Sequence, residues 1–131
     1  MNDPKLDEIQ AWLTKARQDL DAAVWLMESP ISLYGAVGFH CQQSAEKAIK
    51  AYLTWKDFPF EKTHSLIALV SICLDFDPGF EQLRNAATYL NPYAVTFRYP
   101  GDVPDIPRED AEQAIFHAKV IWGFIVSQLP T

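Results

Sequence analysis

Residues 32–55 read SLYGAVGFHCQQSAEKAIKAYLTW, and the spacing within this stretch decides the fold. Tyr34, Val37, Cys41, Ala45, Ala48, Tyr52 and Trp55 recur at steps of three and four, which places them on one face of an α-helix. The small side chains of Ala45 and Ala48 let a neighbouring helix approach closely. The spacing predicts a long helix from about Ser32 to Trp55, central to a bundle.

The segments on either side repeat the rhythm. Upstream, Asp3-Pro4 is a helix start, and Leu6, Ile9, Leu13, Ala16, Leu20, Ala23 and Met27 form a stripe that ends at Ser29-Pro30. Downstream, residues 56–62 mix charge with aromatic rings. A shorter helix beginning near Thr63 or Ser65 carries Leu66, Leu69, Val70, Cys73 and Leu74. Another follows Asp77-Pro78-Gly79, carries Phe80, Leu83, Ala87 and Leu90, and stops at Asn91-Pro92. The connection from Tyr93 to Pro107 holds Pro100, Gly101 and Pro104, and structureless links of that length are more often functional than decorative. Ala111, Ile115, Ala118, Trp122, Ile125 and Leu129 mark the last helix. The pattern predicts an all-α, antiparallel up-and-down bundle of about five helices, with residues 1–131 as a single domain.

Composition narrows the class of function. The chain has 131 residues, 49% hydrophobic and 21% charged, an ordinary globular balance. No apolar run approaches the roughly 20 residues that span a bilayer. Residues 1–8 are polar and acidic, unlike a signal peptide, so the expected location is the cytoplasm. Cys41 and Cys73 both fall on apolar stripes and are expected as buried, reduced thiols. A net charge of −6 counts against indiscriminate binding to nucleic-acid backbones, although a local basic patch is compatible with it.

Such a patch is present. His40, Gln43, Lys47 and Lys50 share a helix face away from the core line, a candidate anion site for a phosphate. A plain solvated face, with Glu46–Lys50 as an exposed pair, accounts for the same spacing. Between His40 and His64, four lysines (Lys47, Lys50, Lys56 and Lys62) face Glu46, Asp57 and Glu61, a net of +1 that leaves −7 on the rest. Lys62 and His64 precede a helix start, where backbone amides can bind anions; a simply capped turn is the alternative. Arg98, beside Tyr99-Pro100, is either a presented phosphate binder or a structural tie. The histidine spacing supports no metal site, no glycine-rich phosphate loop exists, and no nucleophile elbow is present, so no cofactor or catalytic residue is assigned.

Four segments in order, Lys15 to Leu20, Phe39 to Ala51, Lys62 to Leu66 and Arg98 to Pro100, resemble the HEPN domain family over nearly the whole chain. The resemblance implies a helical bundle, usually a homodimer, in a prokaryotic protein often encoded beside a minimal nucleotidyltransferase. It implies nucleotide or RNA as the ligand class. Many members are ribonucleases or toxins with an Arg-x4-6-His motif near the last helix. Here Arg98 is followed at the three positions where that histidine would stand by Val103, Pro104 and Asp105. The expected function is therefore a nucleotide- or RNA-associated binding module, partner to a nucleotidyltransferase, contacting its ligand through His40, Gln43, Lys47, Lys50, Lys62, His64 and Arg98. The alternatives are a divergent ribonuclease pairing Arg98 with His64 or His40, and a helical dimerisation module without a ligand. Surplus apolar side chains at Trp12, Trp25, Phe116, Val120 and Phe124 agree with a homodimer.

Overall fold

The computed structural model describes residues 3–60, 62–95 and 105–130. These residues contain five α-helices: α1 (Pro4–Met27), α2 (Tyr34–Trp55), α3 (Leu66–Leu74), α4 (Arg84–Leu90) and α5 (Arg108–Gln128). They form an antiparallel bundle with no strand among the described residues. No described helix is long and apolar enough to cross a membrane.

The central position of α2 follows from its sequence. Val37, Cys41, Ala45, Ala48 and Tyr52 are buried, and α1 and α5 pack along its length. Because neighbours cover it on several sides, Gln42, Ser44, Glu46 and Lys50 are buried as well. On α1, Ile9, Ala16, Leu20, Ala23 and Met27 complete the core, whereas Leu6, in the first turn, is exposed. Phe80 stacks obliquely on Tyr52 at 4.6 Å and meets Phe124 edge-on at 4.9 Å, joining α2, the α3–α4 connection and α5.

Some boundaries differ from the sequence reading. Helix α2 begins at Tyr34 rather than Ser32. Residues Pro78–Leu83 form a 3₁₀ turn, capped by Asp77 accepting from the Gly79 amide at 2.8 Å, before α4 proper. The start of the long connection is a second 3₁₀ turn, Asn91–Val95. The remainder of that expected loop, residues 96–104, lies outside the described residues.

Caps explain several helix ends. Asp3 accepts from the Lys5 amide at 2.9 Å, with Pro4 in the first turn. Ser65, one of the two expected candidates, accepts from the Ala68 amide at 3.2 Å, and Asn91 takes the Leu66 amide at 2.8 Å. Helix α2 ends on Asp57 in the left-handed region, φ 57°, with Phe58 N–H reaching back to the Leu53 carbonyl at 3.0 Å. The residue at its N-cap position, Leu33, offers no capping side chain. Asp105, far along the chain, fills the role: Oδ1 accepts from the Gly35 amide at 2.7 Å and Oδ2 from the Ser32 hydroxyl at 3.0 Å.

Replacing Asp105 by alanine is therefore expected to lower stability by about 1 kcal/mol, as loss of a helix cap does. Urea denaturation of the two proteins checks this; an unchanged midpoint would show that the contact does not act as a cap.

Candidate functional site

The polar edge of α2 is organised by two carboxylates, Asp19 and Glu46, each gathering a lysine and a histidine. Asp19, on α1, faces α2. Its Oδ1 meets His40 Nδ1 at 2.9 Å and its Oδ2 accepts from Lys47 Nζ at 2.6 Å. Burial alone would raise the Asp19 carboxyl, but the hydrogen bonds with His40 and Lys47 and their charges outweigh it and hold the group below its ordinary value.

The second carboxylate is Glu46, only 5% exposed. It accepts from Lys50 Nζ at 3.0 Å and Gln42 Nε2 at 3.3 Å, and lies 2.9 Å from His64 Nδ1. Gln42 Nε2 also donates to the His64 carbonyl at 2.9 Å, while its Oε1 accepts from Gln43 at 2.7 Å. Lys50 Nζ lies 5.8 Å and 5.5 Å from the ring centroids of Trp12 and Phe60. Glu46 thus ties the 62–65 turn to the middle of α2.

Of the residues singled out from sequence, His40 and Lys47 meet on Asp19 of α1 and not on an open face, while Gln43, between them in sequence and half-buried, donates to Gln42. The expected exposure of Lys50 is overturned: its side chain is 7% exposed, because Trp12 and Phe60 close over it. The same burial overturns the reading of Glu46–Lys50 as a surface pair. His64 is held at Nδ1 and remains 55% exposed, so the Nε2 edge of the ring faces outward. Lys62 is exposed and forms no ion pair among the described residues. The Leu66 and Ala68 amides at the start of α3 are already taken by Asn91 and Ser65. Arg98 lies outside the described residues.

Asp19, Gln42 and Glu46 are the members of this network that the basic pattern did not indicate. Each sits one or two residues off a core line, which is the sequence signal for a polar side chain at a helix–helix seam. A further buried imidazole, His117 on α5, packs against Tyr89 with ring centroids 4.7 Å apart. Tyr89 donates its hydroxyl to the Asp110 carbonyl at 3.0 Å. Next to it, Tyr93 packs so closely on Gly38 that a Cβ there would stand 2.7 Å from the ring. Burial lowers the His117 imidazole from its ordinary value and pushes the Cys41 and Cys73 thiols up to about 12, so neither cysteine is a nucleophile. Among the described residues no cluster of three or more His, Cys, Asp or Glu is arranged to hold a metal ion.

The chain matches a family model, that of the HEPN domain, over residues 9–129. The chain belongs to the HEPN domain family. Its fold is similar to that of TT1696 from Thermus thermophilus, with a TM-score of 0.80 and 28% identity, covering 93% of this chain and 98% of that one. It is also similar to ST0689, described as an archaeal HEPN homologue: TM-score 0.75, 23% identity, 92% of this chain and 97% of that one. No curated protein matches the chain. In this HEPN domain Asp105, one of the positions at which the ribonuclease motif would place its histidine, is engaged as the cap of α2.

Two expected outcomes follow from the burial. Lys50→Ala strands Glu46 without its ammonium and should cost about 3 kcal/mol, the scale for breaking a buried pair. Lys47→Ala, at a more exposed pair, should cost clearly less; urea titrations of both variants give the comparison, and equal losses would contradict it. For His117 the unfolded imidazole takes up its proton near the ordinary value of 6.5 while the folded one resists until lower pH. Its contribution is therefore complete above about pH 6.5 and lost as pH falls below it. Thermal melts between pH 8 and 5 should show a slope that His117→Phe reduces; identical slopes would remove His117 from the account.

Proposed function

We propose that this HEPN chain is a binding module for a phosphate-bearing ligand of the nucleotide or RNA class. It acts as one domain and as a homodimer, and its partner protein is a nucleotidyltransferase. The contacts are His40, Gln43, Lys47, Lys62 and His64, joined by Arg98 from the segment that follows the 3₁₀ turn. Lys50 belongs to the scaffold: it neutralises Glu46, which in turn holds His64.

The observation that carries this reading is the anchoring of His64. Its inner nitrogen is fixed on a buried carboxylate while its outer edge remains in water beside exposed Lys62. A carboxylate at Nδ1 favours the tautomer protonated there and leaves Nε2 as an outward acceptor, or as a donor when the ring is charged. Asp19 and Glu46 offset Lys47 and Lys50, so the strip holds little net charge. Recognition then rests on directed hydrogen bonds more than on bulk attraction, in keeping with a chain of net charge −6.

The same carboxylate–imidazole pairs favour a second reading, a divergent ribonuclease in which His64 or His40 exchanges the proton and Arg98 stabilises phosphorane charge. The two readings separate on incubation with transfer RNA. The binding module leaves it intact, whereas cleavage abolished by both Arg98→Ala and His64→Ala would establish the enzyme.

For the leading reading, calorimetry with ATP, GTP and short RNA should detect binding that Lys47→Ala weakens by about 1–3 kcal/mol, the range for a hydrogen bond to a charged group. His64→Ala should weaken it as well. Absence of binding to all three by the unmodified protein would reject the proposal and leave a dimerisation module without a ligand.

A further inference from the structure

Helix α5 contains a glycine that one copy of the fold does not require. Gly123 lies well inside Arg108–Gln128, where glycine weakens a helix relative to alanine. A Cβ built on it meets nothing within 4 Å. Its backbone is outside the left-handed region, so neither crowding nor conformation within the chain calls for it. Gly38 differs in this respect, since its missing side chain is filled by the Tyr93 ring.

The outward ridge that holds Gly123 continues through Val120 and Phe116, its neighbours at helical spacing, which are 37% and 57% exposed. Of the five apolar side chains in surplus by sequence, Trp12 and Phe124 prove to pack on the core, while Trp25, Phe116 and Val120 stay in water. Beside the ridge, Lys119 and Trp122 form one wall of a groove of about 540 Å³, with α1 as the other. Trp25 on that wall is 80% exposed. Bare backbone beside large apolar side chains on an exposed helix is the surface a closely crossing second helix requires.

The charges at the groove select the occupant. Arg17 and Asp21 pair with each other at 3.1 Å, which leaves Lys119 and Glu28, one of each sign, in a chain that is acidic as a whole. A nucleic acid would match a basic rim, and a basic protein an acidic one. This balance suits a second copy of this chain, because a two-fold contact sets Lys119 of each copy against Glu28 of the other.

We propose that the α5 ridge Phe116–Val120–Gly123, with the Trp25 side of the α1–α5 groove, is the face on which two copies pack, their α5 helices crossing at Gly123. This rests on the homodimer reading given above and adds the surface to it. Light scattering on the size-separated full chain at micromolar concentration should give twice the 14.9 kDa of one copy. Gly123→Trp and Val120→Lys should each give the single mass with unchanged helical circular dichroism, since a side chain at 123 meets open space and Val120 is at the surface in one copy. A monomeric unmodified protein would overturn both the homodimer and its face. A dimer that survives in both variants would overturn the face alone and leave the homodimer standing.

Discussion

Glu46 is a carboxylate in the middle of the most enclosed helix of the bundle, and that placement constrains everything around it. An ionised group there is tolerable only if donors surround it, and three side chains converge to supply them: Lys50, Gln42 and His64. Lys50 in turn needs cover for its methylenes, which Trp12 and Phe60 provide. His64 can reach Glu46 only if the turn before α3 folds back on α2, and that turn is pinned by Asn91 at the far end of α4. One buried charge thus links α1, α2, α3 and α4.

Asp19 plays the corresponding part between α1 and α2, with a different balance. It is less deeply enclosed than Glu46, and its partners His40 and Lys47 keep part of their surfaces in water. Lys50 is enclosed around Glu46, whereas His64, His40 and Lys47 are each held by a carboxylate and still keep part of their surfaces in water. Under the binding function proposed above, side chains held in this way lower the ordering cost of taking up a ligand.

The fold was legible wherever burial depended on one helix alone. Ile9, Ala16, Leu20, Ala23 and Met27 on α1, and Val37, Cys41, Ala45, Ala48 and Tyr52 on α2, lie on the lines that their spacing marks out. What was not legible depended on a second element arriving. The position of Lys50 opposite the core line suggests solvent, and nothing local announces that Trp12 and Phe60 close over it. Asp19 stands in a polar run of α1 and acquires its role only when α2 presents His40 and Lys47. Asp105 reads as a residue where a histidine is missing, whereas its contact is with the Gly35 amide, 70 positions away. The likeness to the family carried the arrangement of elements, but a pattern of residue types does not state which carboxylate meets which cation.

The Asp105 contact has a consequence for the order of folding. A helix usually draws its cap from the residue that precedes it, so its first turn can form as soon as the local chain collapses. Here the first turn of α2 waits on an acceptor that is delivered only when α5 comes into register. The middle of α2, where the alanine face meets α1, can therefore organise early, while its N-terminal turn closes among the last steps.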